Sequence, residues 1–367
     1  MSRPKNLLYP AALLALLLPL LAGNALAQHY TETDLTANRS GISNAANIDP
    51  NLVNPWGLSR SSGSPWWDSD NGTGLSTLYD LNGVPQSLVV TIPPPNGQNG
   101  TAAPTGTVYN YTTSFPAGPG APSIFLFVTE DGTISGWNPN VNPTNAVLLV
   151  DHNPQGAIYK GCALASLAGG PRLYVSNFAS GEVEVYDGKF HQLTTRPGAF
   201  TDSKLPIHYV PFGIQNVGGN IVVAFAQRNP GSEDENDGPG LGYVDVFDTN
   251  GNLLLRLQHG MYMNAPWGIA EAPADFGIFS HRILVGNFGS GWINAFNAVS
   301  GKFEGTLLNA DGSPVTLNGL WAISFAGGNT KSGAANALYF TAGLNDEADG
   351  LLGNLVPVSA EQRGNTE

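Results

Sequence analysis

The sequence predicts an all-β protein, a six-bladed β-propeller, on three observations: a repeat of about fifty residues, a turn-rich composition and no long helical periodicity. The 367 residues include 46 glycines and 27 prolines, and 42% are hydrophobic while 12% are charged. Tight turns between short apolar strands produce such a composition, and the hydrophobic share excludes a disordered chain. At most a single helical turn is expected, within residues 271–280.

The first repeated motif, Pro-x-Gly followed by an apolar residue, predicts the innermost strand of each blade. Six copies, two of them degenerate, are centred on Gly57, Gly106, Gly161, Gly213, Gly268 and Ala322. Successive copies are 49–55 residues apart, which is the length of a propeller blade with three or four strands. We therefore expect these six positions to lie nearest the axis of one ring.

Two further strands follow in each unit. One is a Leu-Tyr-Val type of strand, seen in 172–177 and 282–287, and the other starts with glycine and ends in an aromatic residue and Asp or Asn. Residues 181–187 alternate polar and apolar side chains, as a half-buried strand does. An open ring would expose strand edges, so residues 30–35 are expected to pair with 351–356 and close it.

The N-terminus predicts export. Arg3 and Lys5 precede an apolar run over 7–22, and Ala25 and Ala27 are the small residues that a signal peptidase accepts. A membrane anchor is the alternative, although the run is short. The predicted domains are a signal peptide (1–27), one propeller (28–357) and a polar tail (358–367). The expected location is therefore periplasmic or extracellular, with no membrane insertion after cleavage.

Charge and cysteine content limit the partners. The formal net charge of −13 disfavours nucleic acids and anionic membranes. Cys162 is the single cysteine, so no internal disulfide can form. The expected partner is an extracytoplasmic ligand or protein whose identity the sequence leaves open.

The motifs resemble NHL-type propeller repeats, and a closer resemblance covers nearly the whole mature chain. It rests on Asn54-Pro-Trp-Gly-Leu58, Ser69-Asp-Asn-Gly-Thr-Gly74, Gly242-Tyr-Val-Asp-Val-Phe-Asp248, Asn264-Ala-Pro-Trp-Gly-Ile269, Val285-Gly-Asn-Phe-Gly289 and Asn345-Asp-Glu-Ala-Asp-Gly350. These segments look like an exported bacterial family of conserved hypothetical propeller proteins, some of which carry a PEP-CTERM sorting tail. The resemblance implies the fold and export, but no activity and no catalytic residues. The polar tail of this chain lacks the PEP-CTERM pattern.

Propeller topology places the candidate site residues on one face. The loops that lead into the inner strands and those between the second and third strands share that face. The candidates for ligand binding are Asp70, Asn71, Asn177, Asn287, His152, His208, His259, Trp56, Trp267 and Trp321. The tryptophans could stack a ligand or pack between blades, and the histidines could be general bases, metal ligands or ordinary surface residues.

Acidic loops on the same face raise the question of calcium. Asp234 and Asp237 lie in one loop and Asp346 and Asp349 in another, and Ca²⁺ prefers six to eight oxygen ligands. Solvated acidic turns are the alternative, because no EF-hand spacing is present. The sequence therefore supports two functions: an exported non-catalytic binding or scaffold propeller, or a metal-dependent propeller hydrolase or lyase acting at the channel mouth. Fold alone cannot decide between them.

Overall fold

The computed structural model describes residues 28–361, so the predicted signal peptide and most of the predicted tail lie outside the described residues. The described chain is almost entirely β-structure, with three single turns of 3₁₀ helix at Asn153–Gln155, Gly277–Phe279 and Ser359–Glu361. Within residues 28–361, no helix has the length and apolar character that crossing a bilayer requires.

The strands follow one another in short elements joined by turns. In the first half of the chain they are β1 (Tyr30–Ala37), β2 (Asn47–Ile48), β3 (Pro55–Ser59), β4 (Trp66–Asp70), β5 (Leu75–Ser76), β6 (Leu78–Tyr79), β7 (Val90–Thr91), β8 (Pro104–Tyr109), β9 (Pro116–Gly118), β10 (Ala121–Pro122), β11 (Phe125–Thr129), β12 (Thr133–Trp137), β13 (Val147–Asp151), β14 (Tyr159–Leu167) and β15 (Gly170–Asn177). In the second half they are β16 (Glu182–Asp187), β17 (Gln192–Leu193), β18 (Tyr209–Val217), β19 (Asn220–Arg228), β20 (Glu235–Asn236), β21 (Tyr243–Phe247), β22 (Leu253–Arg256), β23 (Pro266–Glu271), β24 (Arg282–Asn287), β25 (Ile293–Asn297), β26 (Phe303–Thr306), β27 (Leu320–Phe325), β28 (Leu338–Leu344) and β29 (Asp349–Pro357).

These strands form six blades, which confirms the predicted fold. Blade 1 is β3 to β7, blade 2 is β8 with β11 to β13, and blade 3 is β14 to β17. Blade 4 is β18 to β22, blade 5 is β23 to β26, and blade 6 combines β27 to β29 with β1 and β2. The small ribbon β9–β10 is an insertion in blade 2 that the repeat did not predict.

The N-terminal strand closes the ring, as expected. β1 runs antiparallel to β29, with Tyr30 opposite Pro357 and Ala37 opposite Leu351. Tyr30 also packs in the apolar cluster shared by blades 5 and 6. Blade 6 is therefore built from both ends of the described chain.

The inner strands approach one another so closely that glycine is required at most of the repeat positions. A Cβ atom on Gly213 would lie 2.0 Å from the carbonyl oxygen of Trp267, and one on Gly106 would lie 2.6 Å from the backbone nitrogen of Cys162. Both contacts are far shorter than a side chain tolerates, so the backbone of the next blade fills the space of the missing methyl group. The repeated glycine thus sets the tight radius of the ring.

Candidate functional site

An aromatic plug closes the ring at the face predicted to carry function. Trp56 and Trp321 stack with ring centroids 3.5 Å apart, and Phe212 and Trp267 meet both of them at 5.9–6.3 Å. All four side chains are at least 92% buried. In this structure the three predicted tryptophans therefore pack against one another, rather than presenting a free stacking surface.

A small channel continues along the axis on the other side of the plug. It is lined by the inner strands, including Gly57, Gly106, Gly268 and Ala322, and its volume is about 30 Å³. Only one or two water molecules fit in such a space. A ligand at the axis would therefore have to bind in front of the plug, at the outer mouth.

The mouth is built around one buried lysine. Lys160 stands at the repeat position where four of the other five blades carry an aromatic residue, and it is 1% exposed. Its Nζ forms an ion pair with Glu130 and lies 5.0 Å from the Trp56 ring and 5.4 Å from the Phe178 ring. The plug and the carboxylate thus stabilise the ammonium from two sides.

Amide side chains connect this ion pair to the rest of the mouth. Asn71 donates to Glu130 (2.8 Å), and Asn54 donates to Glu347 (2.6 Å). The Asn54 carbonyl oxygen accepts the indole N–H of Trp321 (3.0 Å). These hydrogen bonds therefore fix the orientation of Glu130 and Glu347 relative to the aromatic plug.

The mouth is strongly acidic. Burial alone lowers the pKa of Lys160, but the carboxylates of Glu130, Glu235 and Asp234 outweigh it and raise that pKa. Burial raises the pKa of Glu235 to about 7, with Lys160 opposing the shift. It also raises the pKa of Glu347, whose charge is further coupled to Glu130 and Asp234. Four carboxyl groups thus share one ammonium.

Glu347 is held in place by an unusual loop. Asn345, Asp346 and Glu347 have φ angles of 55°, 52° and 65°, a run of three non-glycine residues in the left-handed region. Asn and Asp tolerate this conformation, but at Glu347 it costs roughly 1–2 kcal/mol of backbone strain. Strain of this kind persists where the surrounding structure fixes it, often next to a functional group.

A second cluster lies beside the mouth, in blade 3. The Tyr159 hydroxyl contacts His152 Nδ1 at 2.8 Å and Glu184 Oε2 at 2.8 Å, and the Tyr186 hydroxyl contacts Glu184 Oε2 at 2.5 Å. Asn177 donates to the other carboxylate oxygen of Glu184 (2.7 Å). The structure therefore brings the predicted residues His152 and Asn177 together through a glutamate.

The remaining predicted residues are dispersed over the face. Asn287 is fully buried and bonds the backbone of blade 5, accepting from Asn264 N at 2.9 Å. His259 stacks on Tyr243 at 4.3 Å, and His208 sits exposed in a left-handed turn with φ of 74°. The histidines that precede successive inner strands thus occupy different environments.

Calcium binding stays a prediction. Among residues 28–361, no three His, Cys, Asp or Glu side chains are arranged to hold one metal ion. Asp349 accepts hydrogen bonds from Asn38, Asn345 and both Nε and Nη2 of Arg39, at 2.5–3.0 Å. The Arg39 guanidinium accordingly lowers the pKa of Asp349 to about 2. Asp234, Asp237 and Asp346 are exposed.

Sequence reasoning identified the loops of the mouth but missed its central residues. Glu235 and Glu347 lie in the two acidic loops singled out above, and Glu130 lies in the loop between β11 and β12, yet nothing in the sequence distinguishes them from their neighbours. Lys160 interrupts the series of aromatic residues at the repeat position. A lysine at an innermost-strand position was the available signal, because such a charge needs partners when it is buried.

Comparison with known proteins supports the fold and identifies proteins of related sequence. No protein-family model matches the chain. Virginiamycin B lyase from Staphylococcus aureus superposes with a TM-score of 0.52 at 13% identity, covering 90% of this chain and 100% of the lyase. A glucose dehydrogenase superposes with a TM-score of 0.54 at 12% identity, covering 88% of this chain and 99% of the other. At these identities the likeness concerns the fold alone.

The sequence relatives are viral, whereas the resemblance noted above was to a bacterial family. Uncharacterized protein R648 of Acanthamoeba polyphaga mimivirus is 32% identical over 329 residues, which cover 88% of this chain and 78% of the relative. Uncharacterized protein L690 of the same virus is 31% identical over 333 residues, covering 88% and 84%. The chain therefore belongs to the family of these mimivirus proteins, and its fold is a six-bladed β-propeller.

Proposed function

We propose that this protein is an exported binding propeller that holds a positively charged organic ligand at the acidic mouth. The ion pair between Glu130 and the buried Lys160, with Asp234, Glu235 and Glu347 near enough to act on its charges, carries the proposal. The excess negative charge of the cluster would attract a cation and steer its approach. The predicted signal peptide is the basis for placing this activity outside the cytoplasm.

The surroundings of Lys160 indicate which kind of cation suits the mouth. Its ammonium is held between the Trp56 and Phe178 rings, and the Arg228 guanidinium lies 5.5 Å from the Phe178 ring. Aromatic rings and carboxylates together favour amines and guanidinium groups. A polyamine or a lysine- or arginine-rich peptide is therefore the expected class of ligand.

Spermidine titration by calorimetry at low ionic strength tests this proposal. We expect binding that weakens as salt is added, because the attraction is screened. The double variant Glu235→Gln/Glu347→Gln should bind about tenfold more weakly, since two of the carboxylates that face the ligand are lost. Glu271→Gln, an exposed change at the opposite end of an inner strand, is the matched control and should bind as the wild type does.

Calcium chloride, titrated in parallel, separates the two predicted cation types. Binding of spermidine with little response to calcium supports an organic-cation site. Binding of calcium without spermidine, or spermidine affinity that is equal in the double variant, would overturn the proposal.

A further inference from the structure

The His152 cluster lies on an open groove that the proposed ligand site does not use. The groove has a volume of about 330 Å³ and is lined by His152, Gly156, Ala157, Asn177, Ser180 and Glu184 among others. His152 is about one quarter exposed, and Glu184 is 9% exposed. A partly exposed imidazole thus stands in front of a buried carboxylate.

Hydrogen bonding determines which nitrogen of His152 carries its proton. The Glu184 carboxylate can only accept, and both tyrosine hydroxyls lie within 2.8 Å of its Oε2. A charged acceptor attracts their protons more strongly than a neutral imidazole nitrogen does. With the Tyr159 proton directed at Glu184, His152 Nδ1 must donate to the Tyr159 oxygen at 2.8 Å.

The other ring nitrogen is then free to accept. With the proton on Nδ1, Nε2 carries a lone pair, and it has no hydrogen-bond partner among the described residues. Tyr159 and Tyr186 are fully buried and Asn177 fixes the second oxygen of Glu184, so the imidazole is held by rigid neighbours. This is the arrangement of a base oriented by a second group.

We infer that the blade 3 groove is a catalytic site in which His152 Nε2 removes a proton from a bound substrate. In that step the substrate X–H bond breaks, its electron pair stays on X, and the proton bonds to Nε2. The resulting imidazolium keeps its Nδ1–H bond to Tyr159, and its charge lies 3.7 Å from Glu184. Tyr159, Tyr186 and Glu184 are positioning residues, since they act through His152.

The groove disfavours a negatively charged substrate. Small side chains and amides form much of its wall, and the carboxylate of Glu184 at its base repels anions. A small molecule without negative charge that carries a weakly acidic C–H or O–H group is therefore the expected substrate class. This inference is independent of the cation site at the mouth, because it uses none of the four mouth carboxylates.

Turnover of 5-nitrobenzisoxazole tests the inference, because a base that takes the ring C–H proton of this neutral probe breaks its N–O bond and releases a coloured phenolate. We expect the wild-type rate to exceed that of His152→Gln by roughly 10- to 100-fold. His191→Gln, a change of an exposed histidine of the same blade that does not line the groove, is the control and should leave the rate unchanged. Equal rates in the wild type and His152→Gln would overturn the inference.

Nitrogen-15 NMR of the His152 ring supplies a second readout that needs no substrate. The wild type should show the proton on Nδ1, and Tyr159→Phe should weaken this preference, because the nearest acceptor is lost while the Tyr186 hydroxyl (3.3 Å) and Glu184 (3.7 Å) remain. A proton on Nε2 in the wild type would equally overturn the inference. If Tyr159→Phe does not fold because Tyr159 is buried, the wild-type NMR spectrum and the comparison of wild-type and His152→Gln rates still test the inference.

Discussion

Ionisable side chains are buried both at the mouth and at the seam between blades 1 and 6, but they are stabilised differently in the two places. At the mouth, Lys160 is 1% exposed and is paired with Glu130. At the seam, Asp68 is fully buried and neither of its carboxyl oxygens has a hydrogen-bond partner. Asp70, two residues along the same strand face, is bonded by Thr77 on Oδ2 but has an unpartnered Oδ1.

The difference shows two ways of accommodating a buried ionisable group. Lys160 keeps its charge because nearby carboxylates outweigh the cost of burial. Burial, with the charges of Asp70 and Asp49, raises the pKa of Asp68 far above its ordinary value, so this group is accommodated by keeping its proton. The mouth is therefore charged, whereas the seam is neutral.

Deletion of the closing strand β1 should lower the unfolding free energy more than any of the substitutions that follow. Deletion of residues 28–37 removes all of β1, including the buried side chains of Tyr30 and Leu35, and leaves β29 as an open edge. We expect unfolding free energy to fall by roughly 5 kcal/mol or more, since each such side chain contributes about 1.5–3 kcal/mol. Urea unfolding measures this, and an unchanged midpoint would show that β1 is dispensable for closure.

Lys160→Met should cause the second-largest loss of unfolding free energy, because it removes the positive charge at the centre of the mouth. The substitution keeps much of the apolar stem but leaves Glu130 next to other carboxylates without its cation. Breaking a buried pair in this way costs about 3–5 kcal/mol. Urea unfolding should show this loss at pH 8.

Glu130→Gln combined with Lys160→Met serves as the control for that prediction. Because the double variant removes both charges of the pair, it should recover part of the stability lost in Lys160→Met. A double variant that is less stable by the full sum of the single effects would show that the two side chains do not interact.

Asp68→Asn should have a smaller effect of opposite sign. The folded state keeps a proton on Asp68 that the unfolded state releases above the ordinary pKa of 3.8, so the wild type loses stability as pH rises from about 4 toward the raised folded pKa. The variant lacks this loss and should be about 1–3 kcal/mol more stable than the wild type at pH 8. Unfolding at pH 5 and pH 8 tests it, with exposed Asp346→Asn as control; equal pH dependence in Asp68→Asn and the wild type would contradict it.

The smallest expected effect concerns Glu235 and ligand binding. Its pKa of about 7 means that it gains a proton, and loses its negative charge, between pH 8 and pH 6. Spermidine affinity should therefore weaken roughly two- to fivefold over that interval, and this part of the pH dependence should disappear in Glu235→Gln. Calorimetry at both pH values measures it, and stronger binding at pH 6 would contradict the assignment.

The sequence predicted the ring well because its signals are local and repeated. Close backbone contact requires glycine at inner positions such as Gly213. Because this glycine recurs about every fifty residues, the repeat can be recognised in the sequence. The closing strand was also predictable, since a ring without it has an open edge. Blade number, strand order and closure are all confirmed.

The sites were less predictable because they depend on which loop residues turn toward the axis. Glu347 reaches the mouth through three left-handed residues that carry no glycine signature. Glu184 joins His152 only after β14 and β16 are brought alongside β15. Tertiary structure decides which of these side chains come into contact. Residue type and spacing could therefore indicate the functional face, but not which residues cluster on it.

The shared construction of blade 6 also sets when this blade can be completed during synthesis. The side chain of Gln28 bonds the backbone of Val358 across a separation of 330 residues. β1 precedes its partner strand β29 by more than 300 residues, so during synthesis β1 cannot form this pair until nearly all of the described chain has been made. Blade 6 therefore depends on a contact between strands that are far apart in sequence, whereas the strands of blades 3 and 4 pair with close neighbours in sequence.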